Sequence, residues 1–213
     1  LPIGCPSPFN GHGLGYRRSV KPDLLLPGGR IQFVRPVMSN ESRLQPVRVP
    51  SAPGHEVAAP GRAAGDLGFT AKGRGTSNAA ALLSRSAAFL APVLAEIRTQ
   101  EGGTALAQVP DAVLLKALLV HGARWGELGA RLQALFQTAE NADGLPEQLA
   151  RLLGFGRIEV ADVAECSATR VTAVGGGTLP ADAGAEHRFP LPPSLSGKRG
   201  WKRLTVTLAW FTP

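Results

Sequence analysis

Gly73-Arg74-Gly75-Thr76-Ser77-Asn78-Ala79-Ala80-Ala81-Leu82-Leu83 decides how this chain is read, because a glycine-rich loop ends there and an apolar helix begins. The loop opens at Ala71-Lys72, and its two glycines allow a tight turn and a close backbone approach that a Cβ would block. Ala79, Ala80 and Ala81 permit close packing around the first turn. Beyond them Leu82, Leu83, Ala87, Ala88, Phe89, Leu90 and Val93 are apolar on nearly every face, as expected of a helix inside a protein. Ser77 stands at the mouth of that helix. The first N–H groups there have no internal partners, and the macrodipole favours negative charge by about 0.3–1 kcal/mol, so the Ser77 N–H is well placed to face an oxyanion. The side chain has two readings. Serine is a preferred N-cap, and it is a nucleophile wherever a base takes its proton and donors hold the oxyanion.

Three further segments bear on the choice. Lys21-Pro22-Asp23-Leu24-Leu25-Leu26-Pro27-Gly28-Gly29 reads as a strand and a Pro-Gly turn, and Val113-Leu114-Leu115-Lys116-Ala117-Leu118-Leu119-Val120-His121-Gly122-Ala123 as an apolar helix. Gly154-Phe155-Gly156-Arg157-Ile158-Glu159-Val160 reads as a glycine turn and a short strand. With Gly75-Thr76-Ser77 they resemble, in order and spacing, the subtilisin-like serine proteases over about residues 20–166.

That resemblance implies an α/β fold: the C-terminal part of a three-layer domain, a parallel sheet with helices on both faces. Residues 1–166 would be part of the catalytic domain and residues 167–213 the beginning of an appended β-sandwich, with the polypeptide expected to continue at both ends. It implies that Ser77 is the acylated nucleophile of an Asp, His, Ser triad, in that chain order, acting on a protein or peptide substrate. The Ser77 N–H would be one oxyanion donor and an upstream asparagine side chain the other. The resemblance places neither that asparagine, nor the aspartate, nor the histidine on this chain. The expectation is therefore the serine half of an endopeptidase, inactive by itself. The alternative is a catalytically silent relative that binds peptides or supports an ATPase.

Other candidates fall away for reasons of position. His12, in Asn10-Gly11-His12-Gly13, superficially matches the family's His-Gly motif, but only 64 residues separate it from Ser77 and the Lys-Pro-Asp segment follows at once. Asp23 matches a structural aspartate of the family. His121 lies in an apolar helix and reads as a core histidine, while His55 and His187 show no partner spacing. Two departures bear on the branch and the pocket shape: Ala81 stands where proline is usual, and Asn78 where methionine is common. This variant, with Leu204-Thr205-Val206-Thr207-Leu208-Ala209-Trp210-Phe211, looks like a bacterial branch often encoded beside AAA-type ATPases, which makes such an ATPase the candidate partner and favours a bacterial cytoplasmic setting.

Composition narrows the rest. At 213 residues and 44% hydrophobic content the chain can bury a sizeable core. Arg85, Pro92 and Lys116 interrupt the apolar stretches before the roughly 20 residues that span a bilayer, so no membrane partner is expected. The net charge of +7 and pI near 10.2 raise nucleic-acid binding, but Arg17-Arg18, Lys198-Arg199 and Lys202-Arg203 are scattered and lack a set of stacking aromatics. No nucleic-acid partner is expected. Cys5 and Cys166 are far apart with no Cys-x-x-Cys spacing; both are expected to be free, and no metal or cofactor is implied.

Punctuation predicts the elements. Residues 1–20 read as loop, Ile31–Val37 and Leu44–Val49 as strands, and Pro50–Gly65 as an exposed loop. Helices follow over Ser77–Thr99, with a kink at Pro92, then from a first-turn Pro110, over Leu128–Ala139 and over Pro146–Leu153. Thr169–Val174, His187–Leu191 and Arg203–Trp210 alternate as strands do.

Overall fold

The apolar run after Gly75 forms one long helix, and two shorter helices with their connecting loops pack along one side of it. The computed structural model describes residues 5–7, 10, 11, 13–36, 44–47, 53–138, 143–189, 194 and 199–211. The strands are β1 (Gly13–Leu14), β2 (Val20–Lys21), β3 (Gln32–Val34), β4 (Gln45–Val47), β5 (His55–Ala58), β6 (Thr70–Gly73), β7 (Ala123–Arg124) and β8 (Arg157–Ile158). The helices are α1 (Thr76–Thr99), α2 (Asp111–His121), α3 (Gly126–Phe136), α4 (Leu145–Leu153) and α5 (Ala161–Ala164).

The class is mixed α/β, as expected. The strands form four antiparallel pairs, β1 with β2, β3 with β4, β5 with β6 and β7 with β8. The expected parallel sheet is not formed among the described residues. An isolated parallel bridge joins Leu25 and Arg157. Each short strand finds a single neighbour, and a two-stranded pair cannot extend into a layer.

Several elements differ from the sequence reading. The stretch read as a loop over 50–65 contains β5, where Glu56 accepts hydrogen bonds from Thr70 (2.7 Å) and Lys72 (3.1 Å) of β6. These cross-strand pairs hold a hairpin that its Pro and Gly neighbours disguise. Pro110 is the residue before α2 and caps it, one position earlier than expected. Beyond β8 the described residues form no strand; Thr169–Val174 and Arg203–Trp210 stay without a ladder, and only Ser167 and Arg170 make a bridge. Alternation gives a segment two faces, but a ladder also needs a neighbouring strand in register, and among the described residues none pairs with these segments.

The core explains the helix order. Leu90 of α1 packs with Leu118 and Leu119 of α2, Ile158 of β8 and Val163 of α5. One turn on, Leu94 packs with Leu106, Val109 and Leu114. Arg98 closes the α1–α2 loop, donating from Nε to the Leu106 carbonyl (3.3 Å) and from Nη2 to that of Val109 (2.8 Å) while pairing with Asp111. In α4, Leu145, Leu149 and Leu153 recur every four residues and form one buried stripe, facing α3 and β2.

The opposite side of α1 is exposed, against the expectation of an enclosed helix. Ala80, Ala81, Ala88, Ala91, Pro92 and Ala95 face outward, and Phe89 is 62% exposed. Arg85 and Pro92 do not shorten the helix. Pro92 lies on the exposed face of α1, and having no N–H it leaves the Ala88 carbonyl without its helical donor. The 24-residue α1 contains an 18-residue stretch with a mean hydropathy of 1.5, of which 11% is buried, so by length and composition alone it could cross a membrane, a measure that the mostly buried core helix of a soluble protein also meets.

A glycine latch joins the start of the chain to its later part. The Phe155 N–H donates to Asp23 O and the Leu25 N–H to Gly156 O, both at 2.8 Å. Gly154 has φ +60°, and a Cβ there would lie 2.0 Å from Pro22 O. Asp23 adds a charge tie, pairing with Lys21 and, at 3.3 Å, with Lys116 of α2. Burial alone would raise its carboxyl, but the Lys21 hydrogen bond and the Lys116 charge outweigh burial and hold it below the ordinary 3.8.

Two outcomes follow from the latch. Gly154→Ala combines a disfavoured φ with a backbone collision, and urea denaturation is expected to show a loss of at least about 2 kcal/mol. Because the Asp23 value is lowered on folding, its contribution is present above pH 4 and is lost as pH falls through the folded value. Asp23→Asn should therefore cost about 0.5–1 kcal/mol at pH 7, and less as pH falls through the folded value, read from paired denaturation curves.

Candidate functional site

Ser77 owes its position to glycine. β6 ends at Gly73, and Gly75 precedes α1 with φ 141° and ψ 168°, a conformation open to a residue without Cβ. Gly75 is thus the N-cap, Thr76 the first helical residue and Ser77 the second. Serine capping, the simpler of the two sequence readings, is overturned: no side chain caps α1. The Ser77 side chain is exposed, and its hydroxyl has no hydrogen-bond partner among the described residues.

Three backbone approaches hold this elbow. Gly28 O accepts from the Gly75 N–H at 2.7 Å and from Asn78 Nδ2 at 3.4 Å. A Cβ on Gly28 would lie 2.8 Å from Gly75 O, one on Gly29 (φ +96°) 2.8 Å from Gly73 O, and one on Gly54 2.7 Å from Gly73 O. His55 of β5, opposite Gly73 in the hairpin, places Nε2 3.0 Å from Pro27 O. The Pro27-Gly28-Gly29 turn, the hairpin and the first turn of α1 therefore form one glycine-walled unit. Sequence reading identified its pieces but not the joint between them, nor the part of Asn78; the repeated Pro-Gly and Gly-x-Gly pairs were the available signal.

The other candidates are dispersed. His121 ends α2, with Nδ1 3.1 Å from Thr207 Oγ1; burial first, then the charges of Arg124 and Arg203, push its imidazole below the ordinary value. It is half-buried at the edge of the core, as a helix-end histidine with a partner. His187 stacks on Phe189 with ring centres 6.2 Å apart. His12 lies outside the described residues. Cys5 and Cys166 are both free, as expected. Among the described residues no histidine or carboxylate bonds to Ser77, so the elbow presents a hydroxyl and an uncapped first turn without a base.

No protein-family model, curated protein or solved structure matches the chain.

The elbow predicts its own sensitivity. Gly28→Ala sets a methyl against a carbonyl that cannot retreat, and a loss of about 1–3 kcal/mol is expected from denaturation curves. Asn78→Ala removes one longer hydrogen bond and should cost about 1 kcal/mol or less. Both should speed amide exchange at Gly75 more than at Leu90.

Proposed function

We propose that this chain is the serine-bearing part of a subtilisin-like endopeptidase, with Ser77 as the nucleophile. One observation carries the reading: Ser77 sits exposed in the uncapped first turn of α1, its hydroxyl unengaged, on an elbow walled by Gly28, Gly29, Gly54 and Gly75. A hydroxyl with only a capping role would be turned back onto the helix. The Leu25–Arg157 bridge and the Asp23–Phe155 hydrogen bond support the same reading, since they bring the Lys-Pro-Asp segment beside the Gly-Phe-Gly turn. In this proposal that bridge belongs to the parallel sheet of a three-layer domain, and residues 167–213, which include Arg203–Trp210, are the beginning of an appended β-sandwich.

The chemistry is acyl transfer to and from Ser77 Oγ. A histidine supplied by other polypeptide takes the hydroxyl proton, held in its tautomer by an aspartate. Oγ attacks the carbonyl carbon of a protein or peptide substrate, and the tetrahedral oxyanion faces the Ser77 N–H in the first turn of α1. The histidine returns the proton to the leaving amine, and water then releases the acyl group. An AAA-type ATPase is the proposed partner. The silent relative is favoured by a separate observation, the lack of any base bonded to Ser77 among the described residues.

A fluorophosphonate probe read by intact mass separates the two. The 213-residue chain alone should take no adduct, whereas the protein encoded by the whole open reading frame should take one. That adduct, and cleavage of an unfolded protein, should both vanish in Ser77→Ala. A whole protein that takes no adduct and cleaves nothing would sink the enzyme reading and leave the peptide-binding one.

A further inference from the structure

A cleft of about 580 Å³ lies apart from Ser77, where the end of α2 meets β7, the turn after α4 and the extended segment that carries Arg203 and Thr205. Its charge is one-sided. His121, Arg124 and Arg203 line it, and among the described residues no carboxylate does. Arg124 pairs with Asp162 of α5, but that carboxylate is shared with Arg170. Arg203 lies over the Trp201 ring at 5.8 Å and has no ion-pair partner among the described residues. The groups converge, because the charges of Arg124 and Arg203 both bear on the His121 imidazole.

The neutral groups narrow the ligand. Thr207 engages Nδ1 of His121, which leaves Nε2 without a partner among the described residues, and the Thr205 hydroxyl lies in the wall. Trp125 and Phe155 form the apolar side. The indole N–H of Trp125 is already spent on Gly154 O at 2.8 Å, so its ring offers only apolar surface. The partial negative charge at the end of α2 opposes an anion, but it amounts to about half an elementary charge, against the full charge of Arg203 and that of Arg124, which Asp162 offsets in part.

We propose that this cleft binds a small organic carboxylate with an apolar body, its charged end between Arg203, Arg124 and His121 and its body against Trp125 and Phe155. The proposal is independent of the role of Ser77. The charged groups facing the imidazole are Arg124 of β7 and Arg203 of the C-terminal segment, with Asp162 of α5 behind Arg124. A bound anion favours the imidazolium, so affinity rises as pH falls through the His121 value.

The test is an NMR titration of the 213-residue chain with 3-phenylpropionate, following the His121 ring and the Trp125 indole N–H. Saturable shifts of both are expected, with affinity that tightens as pH falls through the His121 value followed in the same titration. Arg203→Gln, at an exposed position, should weaken binding about tenfold with the rest of the spectrum unchanged. Acetate, which lacks the apolar body, and 3-phenylpropionamide, which lacks the charge, should each bind far more weakly. The proposal is overturned if the amide or acetate binds as tightly as the acid, if Arg203→Gln binds unchanged, or if no saturable shift occurs.

Discussion

Leu90 against Leu118 and Leu119 is the contact on which the arrangement rests. It seats α1 on α2, and Ile158 and Val163 then close the same cluster from β8 and α5. Burying side chains of this size stabilises by about 1.5–3 kcal/mol each, whereas the two-stranded pairs around them are too small to stand alone. The helices therefore position the strands. β8 can meet β7 and Leu25 only because Ile158 is anchored in the core that α1 and α2 share.

A second constraint is backbone proximity. At Gly28, Gly29, Gly54, Gly154 and Gly156 a Cβ would lie within 3 Å of another backbone atom, and in each case two segments apart in sequence touch there. Gly28 joins the Pro-Gly turn to the N-terminus of α1, and Gly154 and Gly156 join the end of α4 to Asp23 and Arg124. The Ser77 elbow and the Gly-Phe-Gly latch share this device, in which a main chain packs on a main chain through hydrogen bonds of 2.7–2.8 Å. It explains how so exposed a serine keeps a defined place. Its turn is held from beneath by carbonyls and N–H groups, with no side-chain cap.

Much of this was legible in the residues. The alanine and leucine run after Gly75 announced α1 to within one residue, Gly154 announced the end of α4, and the alternation around Phe33 and Pro46 announced β3 and β4. Other features were not. β5 lay hidden in a Pro- and Gly-rich stretch, because its stability comes from Glu56 meeting Thr70 and Lys72 across the hairpin, a relation between distant residues. The strand pattern of Leu204–Trp210 was plain, yet its backbone meets no partner among the described residues, since alternation states which face is apolar and leaves the neighbour open.

By itself the sequence determined the four longer helices, the glycine turns and the placing of a serine at the start of an apolar helix, because helix periodicity, the freedom of glycine and the lack of a proline N–H are local properties. Tertiary structure alone decided that Gly75 and not Ser77 caps α1, that one face of α1 stays open, and that Arg124, Arg203 and His121 share a cleft. Those outcomes depend on which backbones and charges meet across 28 to 86 residues of chain, from His55 on Pro27 to His121 on Thr207. Local propensity carries no information about such distant meetings.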